Sequence, residues 1–180
     1  MNIPEFKYHP DPIKTGSIVL SEDKCICCDQ KNGFLYIGPV YAEAEIDEQI
    51  CPNCISNGLA HNKYGAEFTD IAGVGDYGHW DNVVDSVKEE IAFRTPGFIG
   101  WQQERWWTHC NDAGVFLGRA GFEEIIEYGN QLIEDLKNDS DINDEDWEDY
   151  LRSLSKDDSP TAYIFQCTKC KKIGGYSDSH

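Results

Sequence analysis

Apolar and polar positions alternate most regularly at 121–138, where Phe122, Ile125, Ile126, Leu132, Ile133 and Leu136 recur three and four apart around Gly129. That spacing predicts one amphipathic helix packed on a core. A second helix is predicted at 144–154, presenting Trp147, Tyr150, Leu151 and Leu154. A third, at 81–93, places Val83, Val87 and Ile91 on one face beside Val84, with Asp81 as its cap. Arg94-Thr95-Pro96-Gly97 stops it. Strand material, aromatic and β-branched between Gly and Pro, lies at 33–41, and a second strand at 162–166 runs into Cys167. Residues 1–20 carry Pro4, Pro10 and Pro12 around Phe6, Tyr8 and His9, which predicts an extended segment along the surface. Its lone histidine has no partner at ligand spacing and reads as a surface or packing residue. Three of the five tryptophans fall at 98–110, a density that predicts a core element or a wall over a groove. Gly73-Val74-Gly75-Asp76-Tyr77-Gly78 matches a dinucleotide fingerprint in letters only. No strand precedes it and no apolar helix follows it, so it reads as a flexible loop.

At 180 residues the chain can bury one core plus a small metal-held module. The expected class is α+β: a zinc-stapled, treble-clef or zinc-ribbon-like module over 1–75, joined to a mixed helical and β core over 76–180. No stretch of about 18 apolar residues is present, and the N-terminus lacks a charged and then apolar leader. A soluble cytoplasmic protein is expected. Eight cysteines without a leader point to metal ligands in a reducing compartment rather than to a disulfide framework.

Charge narrows the partners. A formal net charge of −18 opposes contact with nucleic acid, whose phosphates would be repelled over most of the surface. The residues 134–158 hold eleven Asp or Glu against three Lys or Arg. Such a run ordinarily solvates a helical face. Its alternative reading is a docking face for a basic protein, in which Asp139, Asp141, Asp144, Glu145, Asp146, Glu148 and Asp149 are the contact candidates.

The chemistry is concentrated in cysteine. Cys25-Ile26-Cys27-Cys28 is followed 22 residues later by Cys51-Pro52-Asn53-Cys54. Two Cys-x-x-Cys pairs supply the four soft donors that tetrahedral zinc prefers, which nominates Cys25, Cys28, Cys51 and Cys54. The two-residue spacer recurs in all three pairs, favouring Cys28 over Cys27, which could replace it or stay unligated. Pro52 and the apolar positions after it place Cys54 in the first turn of a short helix. Cys167-Thr168-Lys169-Cys170 is half of a second site. Cys110 is its best partner, with His109, His180, Asp112 or a water as the fourth donor. Adjacent strand residues face opposite ways, so His109 and Cys110 can share an ion only across a turn. One Zn2+ is expected at the first set and a second is possible at Cys110, Cys167, Cys170 and His109.

The chain resembles the CbrC family of bacterial proteins, named for tolerance to a DNA-cleaving colicin. The resemblance runs through Phe6-Lys7-Tyr8-His9-Pro10-Asp11-Pro12, both N-terminal cysteine pairs, Arg94-Thr95-Pro96-Gly97, Gly100-Trp101-Gln102-Gln103-Glu104, His109-Cys110-Asn111-Asp112 and Tyr163-Ile164-Phe165-Gln166-Cys167-Thr168-Lys169-Cys170. It implies a cytoplasmic protein connected with toxin tolerance and implies no catalytic residue. Two functions are therefore carried forward. One is a non-enzymatic zinc protein that supports immunity to a toxin, such as a nuclease bacteriocin, by binding it. The other is a hydrolase with an open zinc position near Cys110, Cys167 and Cys170.

Overall fold

In the computed structural model, which describes residues 3–46 and 49–180, the chain is α+β and organised around three apolar clusters. Strands β1 (Ile18–Leu20) and β2 (Phe34–Tyr36) form a short antiparallel hairpin, with Ile18 opposite Tyr36. Helices α1 (Pro52–Ser56) and α2 (Leu59–Tyr64) follow. This module closes over Phe6, Ile18, Leu35, Tyr36, Ile50, Ile55 and Phe68. The strand expected at 33–41 is cut to three residues, because Pro39 has no N–H to pair and Tyr36 folds its hydroxyl back onto the Pro39 carbonyl at 2.9 Å. On its other side Tyr36 pairs with Ile50 in a single isolated bridge.

Helix α3 (Asp85–Arg94) begins later than its apolar pattern suggested. Val84 is its N-cap residue, and Asp81 instead accepts from the Asn111 N–H at 3.3 Å. The expected cap at Asp81 is thus corrected. The loop at 71–78 contains two 3-10 turns and is pinned to the tryptophan segment: Trp106 N–H donates to Gly73 O at 2.9 Å, and Gly75 N–H to Trp106 O at 3.0 Å.

The second cluster lies on a four-stranded antiparallel meander of β3 (Thr108–His109), β4 (Asp112–Ala120), β5 (Thr161–Cys167) and β6 (Ile173–Asp178). Trp106, Phe98, Phe116, Tyr163, Phe165 and Tyr176 fill it. The third cluster packs helices α4 (Phe122–Tyr128), α5 (Asn130–Asp139) and α6 (Trp147–Ser153) beside the sheet. The single helix expected at 121–138 is two, because Gly129 takes φ 94°, outside the right-handed helix. The apolar period survives the break because both halves face the same cluster.

The N-terminal segment does not lie on the surface as expected. Phe6 enters the first cluster, Tyr8 the second, and His9 is fully buried between Trp106 and Phe116. His9 Nδ1 donates to the Pro96 carbonyl at 2.7 Å, leaving Nε2 to accept from the Thr15 hydroxyl at 2.6 Å. Burial lowers its pKa from 6.5 to about 4. The unfolded chain then binds more protons between those values, so stability is complete above pH 6.5 and falls as pH drops toward 4. Protonation of this group is expected to remove roughly 3 kcal/mol. A ring-carbon NMR titration should show the His9 inflection well below 6.5; an inflection near 6.5 would contradict the buried neutral ring.

Candidate metal centres

The N-terminal knuckle forms the connection between β1 and β2. Asp29 N–H donates to Cys25 O at 2.8 Å and Cys25 N–H to Gln30 O at 3.0 Å, with Asp29 at φ 55° closing the turn. Cys51 is the N-cap residue of α1, Pro52 takes the first helical position and Cys54 lies in the first turn. One donor atom from each of Cys25, Cys28, Cys51 and Cys54 lies within 4.8 Å of every other. The Cys28 and Cys51 sulfurs are 3.9 Å apart. Two sulfurs at tetrahedral zinc bonds stand about 3.8 Å apart, from a Zn–S length of about 2.3 Å. The set fits that ion. The Cys51 N–H points at Cys25 Sγ at 3.2 Å and Asn32 Nδ2 at Cys28 Sγ at 3.5 Å, contacts that support thiolate charge. Helix α2 clamps the knuckle from outside: Tyr64 donates to Ile26 O at 3.1 Å and Lys63 to Cys27 O at 3.2 Å.

Cys27 is buried beside this set and outside it. Its hydrogen bond to Cys25 and its burial push its pKa up, so it stays a neutral thiol. Burial also raises Cys54 to about 12. A metal ion binds these cysteines as thiolates, so metal uptake here releases protons.

The second set is built from two turns at one end of the meander. Cys110 and Asn111, at φ 56° and 57°, form the two-residue turn between β3 and β4, the left-handed pair that such hairpins use. That turn brings His109 and Cys110 to one side, which a straight strand would forbid. Cys167 and Cys170 form the turn between β5 and β6, with Lys171 at φ 64° and Cys167 N–H donating to Lys172 O at 2.8 Å. Donor atoms of His109, Cys110, Cys167 and Cys170 all lie within 4.8 Å of one another. Cys170 Sγ is 3.5 Å from His109 Nδ1. A sulfur and a nitrogen on tetrahedral zinc stand roughly 3.5 Å apart, from bonds of about 2.3 and 2.0 Å. This set also fits zinc, with His109 as the fourth donor. Burial raises Cys110 to about 11, whereas Cys167 is held down to about 6, against its burial, by the Cys170 N–H and His109.

Neither His180 nor Asp112 belongs to this donor set. His180 packs on Trp101 at 4.3 Å between ring centroids. Asp112 takes the Tyr8 hydroxyl at 2.7 Å, the Thr168 hydroxyl at 2.7 Å and Lys7 Nζ at 3.3 Å. Although burial opposes its charge, these bonds hold its carboxyl below the usual range. Asp112 thereby fastens the N-terminal segment to the turn that carries Cys167 and Cys170. Tyr8 and Thr168 had no ligand-like spacing to mark them.

The tryptophan segment divides between core and site. Trp106 is core, while the Trp107 ring lies parallel to His109 at 5.3 Å. Trp107 and His109 line a cleft of about 370 Å³ with Trp80, His79, Asp139 and Lys172. Beside it Arg105 bonds Asp76 and Asp139, each at 2.8 Å, and stacks on Tyr176 at 4.3 Å. His79 Nε2 is also 2.8 Å from Asp139. Asp139 is therefore corrected as a docking residue, since its side chain is only 6% exposed and already faces two internal partners. Of the other acidic candidates, Asp144 pairs with Lys137 and Glu148 with Arg152 while staying exposed. Asp141, Glu145, Asp146 and Asp149 are exposed and, among the described residues, carry no ion pair.

The model of the family described as "Uncharacterised protein family (UPF0167)" matches residues 3–179. The chain belongs to the UPF0167 family. UPF0167 proteins of Mycobacterium bovis and Mycobacterium tuberculosis are each 41% identical over 184 residues, covering 98% of this chain and 93% of theirs. One from Pseudomonas aeruginosa is 36% identical over 169 residues, covering 93% and 92%. These UPF0167 descriptions state no activity, metal or partner, and none carries the CbrC name. No solved structure matches the chain. No helix among the described residues is long and apolar enough to cross a membrane.

Proposed function

We propose that this UPF0167 protein is a non-enzymatic binding protein stapled by two zinc ions, which presents an acidic segment to a basic protein partner. The observation that carries the reading is the fourth donor, His109, in the C-terminal set. Four protein donors leave a zinc no position for water or substrate, the arrangement of structural sites. The hydrolase alternative required an open position there and finds no support in such a set.

Binding is supported by charge. Asp141, Glu145, Asp146 and Asp149 lie on one stretch between α5 and the first turn of α6, exposed and without an internal cation among the described residues. Unpaired carboxylates on a protein of net charge −18 steer a cationic partner and speed its association. A nuclease toxin, whose phosphate-binding cleft is basic, has the complementary chemistry, and toxin tolerance is what the CbrC resemblance implies.

The test is calorimetry of the purified zinc-loaded protein with a nuclease bacteriocin domain active against its host, at low and at physiological salt. Association that weakens with salt is expected. The variant carrying Asp141→Asn, Glu145→Gln, Asp146→Asn and Asp149→Asn should bind at least about tenfold more weakly, mostly through a slower on-rate. Absence of association at low salt would reject direct docking on a toxin.

A further inference from the structure

The cations of this acidic chain are distributed unevenly. Seven of the fifteen Lys and Arg pair with carboxylates. Lys63, Lys169 and Lys171 donate to backbone carbonyls of the cysteine turns. Among the described residues five remain with neither kind of partner: Lys14, Lys31, Lys88, Arg119 and Lys156. Three of these, Lys14, Arg119 and Lys156, line one cleft of about 420 Å³. With 33 carboxylates in the chain, three cations left unpaired at one concavity call for a ligand of opposite charge.

The cleft is built by the fold rather than by loose side chains. The β4–β5 register shifts between Phe116 and Gly118, and Gly118 sits at φ 128°, a conformation that side chains disfavour. Past that bulge Gly118 and Arg119 stay paired with Ile164 and Tyr163 of β5, and Lys14, Thr15 and Gly16 line the cleft beside Leu117. Arg119, half-buried, supplies a planar fork suited to two oxygens of one anion. The two carboxylates of the cleft differ: Glu124 already accepts from the Gly121 N–H at 3.0 Å, and Asp157 is exposed at the rim. Leu117, Ala120 and Ile164 give an apolar floor, and the Tyr128 ring stands 43% exposed beside it.

We propose that this cleft binds a small organic oxyanion, a phosphate monoester or a carboxylate, that carries an apolar or aromatic body. The three cations take the charged end and Tyr128 with the aliphatic floor takes the body. The site lies apart from both metal sets and from residues 141–149, and the inference stands or falls separately from the docking reading.

Amide NMR spectra of the zinc-loaded protein titrated with phenyl phosphate, and separately with benzoate, test it. Phenol and inorganic phosphate serve as the half-ligand controls. Saturable shifts are expected at Thr15, Gly118, Arg119 and Ala120 in the millimolar range, weaker with either control, and the tighter of the two probes identifies the anion class. Arg119→Gln should weaken binding about tenfold through loss of a charge-assisted pair of hydrogen bonds. Replacing the two isolated unpaired lysines, Lys31→Gln with Lys88→Gln, should leave binding unchanged. No saturation with either probe, or equal weakening by the Lys31/Lys88 variant, would overturn the site and mark the shifts as diffuse surface attraction.

Discussion

Cys54→Ser is expected to abolish folding of the N-terminal module and to remove one zinc per chain. The elements around this set are too short to persist alone: β1 and β2 have three residues each and α1 has five. Helices of this length are marginal in water without tertiary support, and a two-stranded hairpin is no better. A structural zinc contributes on the order of 10 kcal/mol, comparable to the whole stability of a domain. Losing one of four donors therefore costs the module its fold. Cys27→Ser is the matched control, because Cys27 is also buried and lies outside the four donors. It should cost about 1–2 kcal/mol, for a polar group placed in an apolar pocket, and keep the zinc count. Zinc analysis with near-ultraviolet circular dichroism separates the two variants; a folded, fully metallated Cys54→Ser protein would contradict the assignment.

Trp106→Ala carries the second large effect, an expected loss of roughly 4–5 kcal/mol in urea unfolding of the zinc-loaded protein. The Trp106 ring is fully buried and stands 5.7 Å from both Phe98 and Phe165 and 6.3 Å from Phe116. Its indole N–H donates to Gly114 O at 2.9 Å, so the alanine leaves a buried carbonyl unpaired as well as a cavity. The same residue holds the loop at Gly73 and Gly75 through its backbone. Trp106→Phe should recover about half of the loss, since it refills much of the volume without restoring that hydrogen bond. A loss below about 1 kcal/mol for the alanine would mean that the cluster does not centre on this residue.

The cysteine spacings made the metal sets legible because a two-residue spacer is itself the chelate geometry. Cys25, Cys28, Cys51 and Cys54 could be grouped without any knowledge of the fold, and Pro52 marked the helix that delivers Cys54. The second set was legible in its members and not in its arrangement. What joins His109 to Cys110 is a left-handed turn at Cys110 and Asn111, which no Asn-Gly or Gly-Gly pair announces. Helix boundaries failed where a single backbone angle decided them, as at Gly129, or where a polar side chain found a distant partner, as Asp81 did with Asn111. Charge was least legible. Asp139 looks like its acidic neighbours in the chain, yet its partners Arg105 and His79 come from 34 and 60 residues away. Local composition carries no record of such pairs. The burial of Tyr8 and His9 was hidden for a similar reason: a proline-punctuated segment reads as peripheral, and only the sheet it crosses makes it core.

The central claim is that two closed zinc sites hold this fold together. Native mass spectrometry of protein purified without chelator tests it most directly. Two zinc ions per chain are predicted, both lost on acid unfolding. A single zinc would contradict the closed His109, Cys110, Cys167 and Cys170 set, and a folded, metal-free chain would contradict the account as a whole.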